Sequence, residues 1–379
     1  MERAQYRVVT YRPEHRAQVL EVQNHLWGPH TELNAAYLDW KHVHNPYVSE
    51  PLIYLAMHGE RAVGMYSFVG AKWEFGSPRQ TLVLPLASDV VIAPDHRNRG
   101  LLSLIRKAAL KDLAEKGYSY VLSMGTRPKV LMSSMRAGWR SVGSLRPVGC
   151  TVTQRESFPH LRALLKKSRL AVSVYRKLCN PIWKSPPNPF DLLDRINDQR
   201  NGKLGDHVSI GKTPRNLEMA RLRSRLDKDS RIRHVQDEGY YAWRLQNPRS
   251  NYRFLFWDDA DLQGYVVLQA TAFPSVEPIG VIDWGATSEK AQAELLQAAI
   301  QLTCGQTLVT WSATLTERER RILEAAGFKS LPQAIIEYPW VATVRPVREE
   351  MLNQEWRLGD QALLDIGNWD FRMLHSRAF

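Results

Sequence analysis

A short turn with two arginines and a glycine carries the clearest chemical signal in the sequence. Residues 95–100 (DHRNRG) connect an apolar, β-branched run that ends at Pro94 to an amphipathic run that begins at Leu101. A helix that starts at this point has unpaired backbone N–H groups in its first turn, and glycine lets a ligand approach the backbone closely. With Arg97 and Arg99 beside them, these groups predict a site for an anion such as a diphosphate.

The elements around this turn predict a mixed β-sheet covered by helices. The first half of the sequence alternates short β-branched runs with longer runs of helical periodicity. The predicted strands are 6–11, two arms of a hairpin within 52–70, 82–93, 118–124 and 140–146, and the predicted helices are 14–26, 33–42, 101–116 and 129–137. This order is typical of an α/β or α+β fold in which helices cover a mixed sheet.

The two halves of the sequence share four features in the same order. Each half has a Trp followed by Asn-Pro, then an apolar hairpin with a glycine in its returning strand, then a third strand and a helix, and last a Gly-aromatic pair. Four matches in one order predict a duplicated unit of about 140 residues. The matched features are Trp40 and Trp243, Asn45-Pro46 and Asn247-Pro248, Gly64 and Gly264, and Gly138-Trp139 and Gly327-Phe328.

This repeat predicts two domains, at 1–150 and 236–345, joined by a basic helical linker at 151–235 and followed by a C-terminal tail at 346–379. The arginine-glycine turn has no counterpart in the second half, where DWGAT at 283–287 runs directly toward its helix. We therefore expect one ligand site, in the first domain. The second domain is predicted to be a degenerate copy that shapes the substrate cleft.

Composition excludes several classes of protein. The chain has 379 residues, of which 44% are hydrophobic and 24% charged, as in ordinary soluble proteins and unlike disordered or collagen-like chains. No apolar run approaches the roughly 18 residues of a membrane helix. Three distant cysteines exclude a disulfide framework, and neither they nor the spacing of His30, His42 and His44 matches a zinc site. We expect a cytoplasmic protein without a metal ion.

The positive charge is concentrated in the middle of the chain. The formal net charge is +12, and residues 155–235 hold 19 basic and 8 acidic side chains. One interpretation is a connecting helix, at 158–178, with its basic face in water. The other is a surface for an anionic partner, such as an acidic acyl carrier protein, a tRNA or an anionic lipid.

The strand-turn-helix segment resembles the acyl-CoA-binding motif of the GNAT superfamily of N-acyltransferases. In that family an Arg/Gln-x-x-Gly-x-Gly/Ala turn follows a strand that ends in Val-x-Pro. Here IAP at 92–94 precedes RNRGLL at 97–102, so that Leu102 stands where the family has Gly or Ala. AGWRSVG around Gly138 resembles the closing Gly-Phe strand of the family. The resemblance covers 6–148 by motif and 237–332 by architecture, and it implies two tandem GNAT-like domains.

The resemblance implies that acetyl-CoA or another acyl-CoA is the donor substrate. Val90 and Ile92 would pair with the pantetheine arm, and the backbone of the turn would hold the diphosphate. The turn residues are Arg97, Asn98, Arg99, Gly100, Leu101 and Leu102.

In the family, a small amine attacks the thioester directly, which requires a base for the amine and a proton for the departing thiol. Asp89 is the first candidate for the base and Glu74 the second. Ser134 stands where many relatives have an acidic Tyr, and Tyr120 is the alternative acid. Each also has a structural interpretation: a bonded strand-end carboxylate for Asp89, a helix residue facing water for Ser134 and a core tyrosine for Tyr120.

The predicted function is therefore transfer of an acyl group from CoA to the primary amine of a small acceptor, such as an amino sugar or an amino-acid derivative. Two alternatives remain open. A Fem-like transferase would use aminoacyl-tRNA, although such enzymes usually lose the diphosphate turn that is intact here. A non-catalytic protein would bind acyl-CoA without turnover.

Overall fold

The computed structural model describes residues 6–125, 128–151, 190, 194, 206–226, 229–271, 278–303, 306–331 and 340–376. The helix predicted at 158–178 and the C-terminal residue Phe379 lie outside the described residues. The described helices include none that is long and apolar enough to cross a membrane.

The first large sheet has seven strands in the order β1-β2-β3-β6-β7-β17-β8. They are β1 (Tyr6–Thr10), β2 (Leu52–His58), β3 (Arg61–Val69), β6 (Leu86–Ile92), β7 (Tyr120–Met124), β8 (Arg140–Ser144) and β17 (Val341–Pro346). Its helices are α1 (Arg16–Trp27), α2 (Thr31–Leu38), α3 (Leu101–Glu115) and α4 (Pro128–Arg136). Helix α3 packs its apolar stripe on one face of the sheet and α1 packs on the other, as the periodicity of both segments predicts.

The second large sheet has the order β10-β12-β13-β14-β15-β9-β16. Its strands are β9 (Pro147–Thr151), β10 (Val208–Gly211), β12 (Ser250–Asp259), β13 (Asp261–Thr271), β14 (Ile279–Ala286), β15 (Thr307–Trp311) and β16 (Lys329–Ser330). Its helices are α5 (Asn216–Leu226), α6 (Glu238–Arg244), α7 (Glu289–Leu302) and α8 (Glu317–Ala325). The predicted tandem mixed α/β architecture is thereby confirmed.

The described residues also form two smaller sheets. One has the order β20-β11-β4-β5, and the other pairs β18 with β19. These strands are β4 (Lys72–Phe75), β5 (Gln80–Val83), β11 (Ile232–His234), β18 (Arg357–Leu358), β19 (Gln361–Ala362) and β20 (Trp369–Asp370). The four-stranded sheet therefore takes strands from both halves and from the C-terminal segment.

The two large sheets exchange one strand. In the first, the sixth position is taken by β17 from the C-terminal part of the chain, and in the second it is taken by β9 from the N-terminal part. Strand β10, inside the predicted linker, is the first strand of the second sheet. The sheets thus cross the predicted segment boundaries at 150, 236 and 345, because strand pairing joins residues that are remote in sequence. Neither half can complete its sheet without the other.

A pair of tryptophans marks a local two-fold relation between the halves. The Trp40 indole N–H donates to the Trp243 carbonyl, and the Trp243 indole N–H donates to the Trp40 carbonyl, each at 2.7 Å. Their rings stack with centroids 5.4 Å apart. The Trp that recurs in each half of the sequence therefore joins the two halves to each other.

The C-terminal segment is fixed by buried charges. Asp370 accepts hydrogen bonds from Arg372 at 2.8 Å and from Arg223 at 2.9 Å. Burial by itself would raise the pKa of Asp370, but the two guanidinium groups outweigh it and hold the pKa well below its usual range. The stability from this carboxylate is thus present at neutral pH and is lost as the pH falls below the unfolded value of about 3.9.

Replacing Asp370 by Asn is expected to lower the free energy of unfolding by about 3–5 kcal/mol at neutral pH, because it leaves buried guanidinium groups without their carboxylate. Chemical denaturation measures the loss. Glu60→Gln is the control, since its pair with Arg7 is exposed (55% for Arg7 and 94% for Glu60), and it should cost less than about 1 kcal/mol. An equally small loss for Asp370→Asn would contradict the prediction.

Candidate functional site

Strands β6 and β7 separate and leave an opening in the first sheet. The two parallel strands pair only at Leu86 and Leu122, whereas β6 stays paired with β3 as far as Ile92, opposite Gly64. Among the described residues, no strand pairs with the edge of β6 that faces away from β3 beyond Leu86. Val90 and Ile92 lie on this stretch, half-buried, and pack with the α3 side of the sheet.

The predicted anion turn lies at the outer end of this opening. Asn98 has a φ of 60° and Gly100 a φ of 77°, and α3 begins directly after Gly100, at Leu101. A Cβ added to Gly100 would meet nothing within 4 Å, so the backbone is open to a ligand. The Arg97 Nε donates to the Ile92 carbonyl at 3.0 Å, which ties the turn to the end of β6. Residues 97–100 are exposed, and the geometry fits a diphosphate on a helix N-terminus.

A basic cleft of about 440 Å³ extends from the start of α3 to α4. Arg106 is buried in it and donates to the Ser133 carbonyl at 3.1 Å. Its lining residues are Ser103, Arg106, Lys129, Met132, Ser133, Arg136 and Ala137. Lys129 and Arg136 could not be predicted from the sequence as lining residues of this cleft, since nothing in the sequence shows that α4 packs beside the start of α3.

Asp89 lies inside the fold, on the same strand as Val90 and Ile92. Its carboxylate is fully buried and accepts a hydrogen bond from the Lys41 ammonium at 2.8 Å. Its backbone N–H donates to the Ser67 hydroxyl at 3.1 Å, at a bulge between β3 and β6. The structure therefore places this predicted base beside the opening, but in an ion pair.

Lys41 is the residue at this site that the sequence analysis missed. It lies in a π-helical turn, Asp39–Val43, that follows α2; such wide turns are often found at functional sites. The ammonium group is 4.7 Å from the centre of the Tyr37 ring and is 2% exposed. The signal available in the sequence was the spacing of Tyr37 and Lys41, which are four residues apart and therefore lie on the same face of a helix.

The other predicted proton carriers lie apart from Asp89. Glu74 is on β4 in the four-stranded sheet, 3.5 Å from Arg79. Tyr120 precedes Leu122 and is thus on the closed side of the opening, in the core between the sheets, where burial raises its pKa. Ser134 is on α4 and is buried, not facing water. The structure does not bring Glu74 or Tyr120 to the opening.

The second half has the same opening but not the same chemistry. In the described residues, β14 and β15 pair only where Ile279 is opposite Leu308 and Gly280 is opposite Val309. Asp283 takes the place of Asp89, opposite Val267 at a matching bulge. It accepts hydrogen bonds from the Tyr241 and Tyr265 hydroxyls at 2.9 and 2.8 Å, and burial raises its pKa. The second carboxyl is thus shifted toward its neutral form.

Residues of the C-terminal segment fill this second opening. The Phe371 N–H donates to the Thr314 hydroxyl, just beyond β15, at 2.9 Å. A Cβ added to Gly280, on β14, would lie 3.6 Å from the Met373 methyl group. Between them, Arg372 forms an ion pair with Glu319 at the start of α8. The chain itself therefore occupies the place that is open in the first half.

Among the described residues, no three His, Cys, Asp or Glu side chains are grouped closely enough to hold a metal ion. The sequence has no significant match among curated proteins. Residues 7–140 match the profile of the acetyltransferase (GNAT) domain family.

Solved structures with the same fold include several GNAT proteins. A probable N-acyltransferase from Enterococcus faecalis V583 and a GCN5-related N-acetyltransferase from Anabaena variabilis each have 11% identity and a TM-score of 0.57, over 93% of this chain and 75% of theirs. A tandem GNAT protein from the clavulanic acid biosynthesis pathway has 12% identity and a TM-score of 0.50, over 91% of this chain and 99% of its own. Residues 7–140 are therefore similar in sequence to the GNAT acetyltransferase domain family, and the chain as a whole has the fold of the GNAT proteins.

Proposed function

We propose that the protein transfers an acyl group, in the first instance acetyl, from CoA to the primary amine of a small acceptor such as an amino sugar or an amino-acid derivative. The observation that carries this proposal is the opening between β6 and β7, which leads from the exposed anion turn to a buried carboxylate. The bound thioester would supply the acyl group. Every other task falls to residues of this chain.

The residues of the first half divide these tasks along one path. The N–H groups at residues 97–102 and the two arginines would hold the diphosphate, and Lys129 and Arg136 would face the rest of the nucleotide. The free edge of β6 at Val90 and Ile92 would bond the pantetheine arm. Asp89 would take the proton that keeps the amine neutral, and Lys41 would hold the carboxylate in place.

The retained turn also supports one alternative, a protein that binds acyl-CoA without turnover, because Asp89 is engaged by Lys41. An acidic partner at 155–235 is a further proposal, and a carrier protein there would present the donor on its own pantetheine arm. Release of free thiol in the presence of a panel of amines distinguishes the transferase from the binding protein.

Gly100→Glu is expected to abolish binding of acetyl-CoA, because it places a carboxylate where the diphosphate would lie. Titration calorimetry measures the binding, and circular dichroism confirms the fold. Gly117→Glu is the matched control: Gly117 ends the same helix with a φ of 83° and also has nothing within 4 Å of an added Cβ. The two variants thus share the same backbone strain, and equal binding by both would contradict the assignment of the turn.

Asp89→Asn is expected to abolish thiol release and also to destabilise the protein by about 3–5 kcal/mol, because Lys41 stays buried without its carboxylate. The double variant Lys41→Met/Asp89→Asn removes that charge and should recover most of the stability without recovering thiol release. Thermal unfolding and a thiol assay measure both effects. A double variant with wild-type activity would exclude Asp89 as the base.

Acetyl-CoA is expected to bind with a stoichiometry of one per chain, because residues 371–373 occupy the opening between β14 and β15. Calorimetric titration at neutral pH gives the number directly. A second molecule bound per chain would show that the C-terminal segment leaves the second opening.

A further inference from the structure

Ser88 has a buried hydroxyl group that has no role in the proposed acyl transfer. It is 1% exposed, and within the described part of the chain its Oγ has no hydrogen-bond partner. Its neighbour on β3, Ser67, is fully buried too, but the Ser67 Oγ accepts the Asp89 N–H at 3.1 Å. Buried polar groups are nearly always hydrogen-bonded, so that an unsatisfied one indicates a missing partner.

The position of Ser88 shows where that partner would lie. Ser88 is two residues beyond Leu86, the last residue of β6 that pairs with β7, and it is one of the two residues that face Ser67 at the bulge. Ala87 packs on the α3 side of the sheet. Ser88 lies in the bulge, directly before Asp89, whose carboxylate accepts the hydrogen bond from Lys41. Ser88 therefore lies at the inner end of the opening.

The inner end is also where the reacting end of a donor would lie. A donor held by its diphosphate at residues 97–100 and extended along Ile92 and Val90 ends its pantetheine arm near Ser88. The backbone order alone, from the turn inward along β6, gives this placement. Glu74 lies on β4 in another sheet, Tyr120 lies on β7 and Ser134 lies on α4. None of the proton carriers predicted for the thiol is therefore on β6, the strand along which the donor would extend.

We propose that the Ser88 hydroxyl relays a proton from the acceptor amine to the thiol sulfur; this inference rests on the proposed transferase function. As the C–N bond forms and the C–S bond breaks, the nitrogen loses one proton and the sulfur gains one. The hydroxyl gives its own proton to sulfur and receives the proton from nitrogen. It ends unchanged and needs no further reactant, and because both transfers occur together a weakly acidic hydroxyl can serve.

The test compares Ser88→Ala with the wild type using two donors. With acetyl-CoA, kcat should fall about 100-fold, the typical effect of a lost proton donor, while the KM of the amine stays within about twofold. The second donor is the acetyl thioester of 4-nitrothiophenol, whose thiolate leaves without a proton. It lacks the diphosphate and binds weakly, so kcat/KM is compared, and the loss should shrink to less than about fivefold.

A readout that does not depend on activity comes from thermal unfolding. Removing an unsatisfied hydroxyl should leave the midpoint of Ser88→Ala unchanged or raise it. The matched control is Ser67→Ala, which removes a satisfied hydroxyl on the facing strand and should lower the midpoint. Any loss of activity caused by Ser67→Ala should be the same with both donors.

Three results would overturn the inference: an unchanged kcat with acetyl-CoA, an equal loss with both donors, or a lowered midpoint for Ser88→Ala, which would show that the hydroxyl has a protein partner. A wild type that binds acetyl-CoA but releases no thiol with any amine would instead overturn the proposed function, and the inference with it.

Discussion

In the part of the chain that the structure describes, strand β6 has a neighbouring strand on only one side beyond Leu86. A strand edge inside a protein must find partners for its backbone N–H and C=O groups, and here β7 has turned away. The same separation places the anion turn at one end of the free edge and Asp89 and Ser88 at the other. The candidate site thus depends on a local failure of sheet pairing. In the proposed function this opening would hold an extended donor, and its buried end would be the place of proton transfer.

The two halves share one structural unit but differ in the surroundings of its buried Asp and in what lies in its opening. Both retain the separated strands and a buried Asp at a bulge. In the first half the Asp faces an ammonium group, which favours the carboxylate, whereas in the second it faces two tyrosine hydroxyls and burial raises its pKa. The C-terminal segment closes the second opening. The second half, with its filled opening, is joined to the first half in two ways. The sheets exchange β9 and β17, and Trp40 and Trp243 form reciprocal hydrogen bonds.

The sequence allowed prediction of those features that depend on neighbouring residues. The strand, turn and helix around Gly100 and the duplication could be predicted, because periodicity, capping geometry and repeated motifs are local properties. The exchange of β17 into the first sheet could not, since pairing between residues remote in sequence leaves no local signal. For the same reason the sequence does not show that the fold places Glu74 and Tyr120 apart from Asp89. It also does not show that Lys41, 48 residues from Asp89, contacts it.

Hydrogen exchange of the backbone amides with and without acetyl-CoA tests most directly whether the opening of the first sheet is the donor site. The account predicts slower exchange at residues 90–102, with no change at 279–287, because bound amides exchange only on release or local opening. Protection in the second half, or none at residues 90–102 under saturating acetyl-CoA, would contradict it.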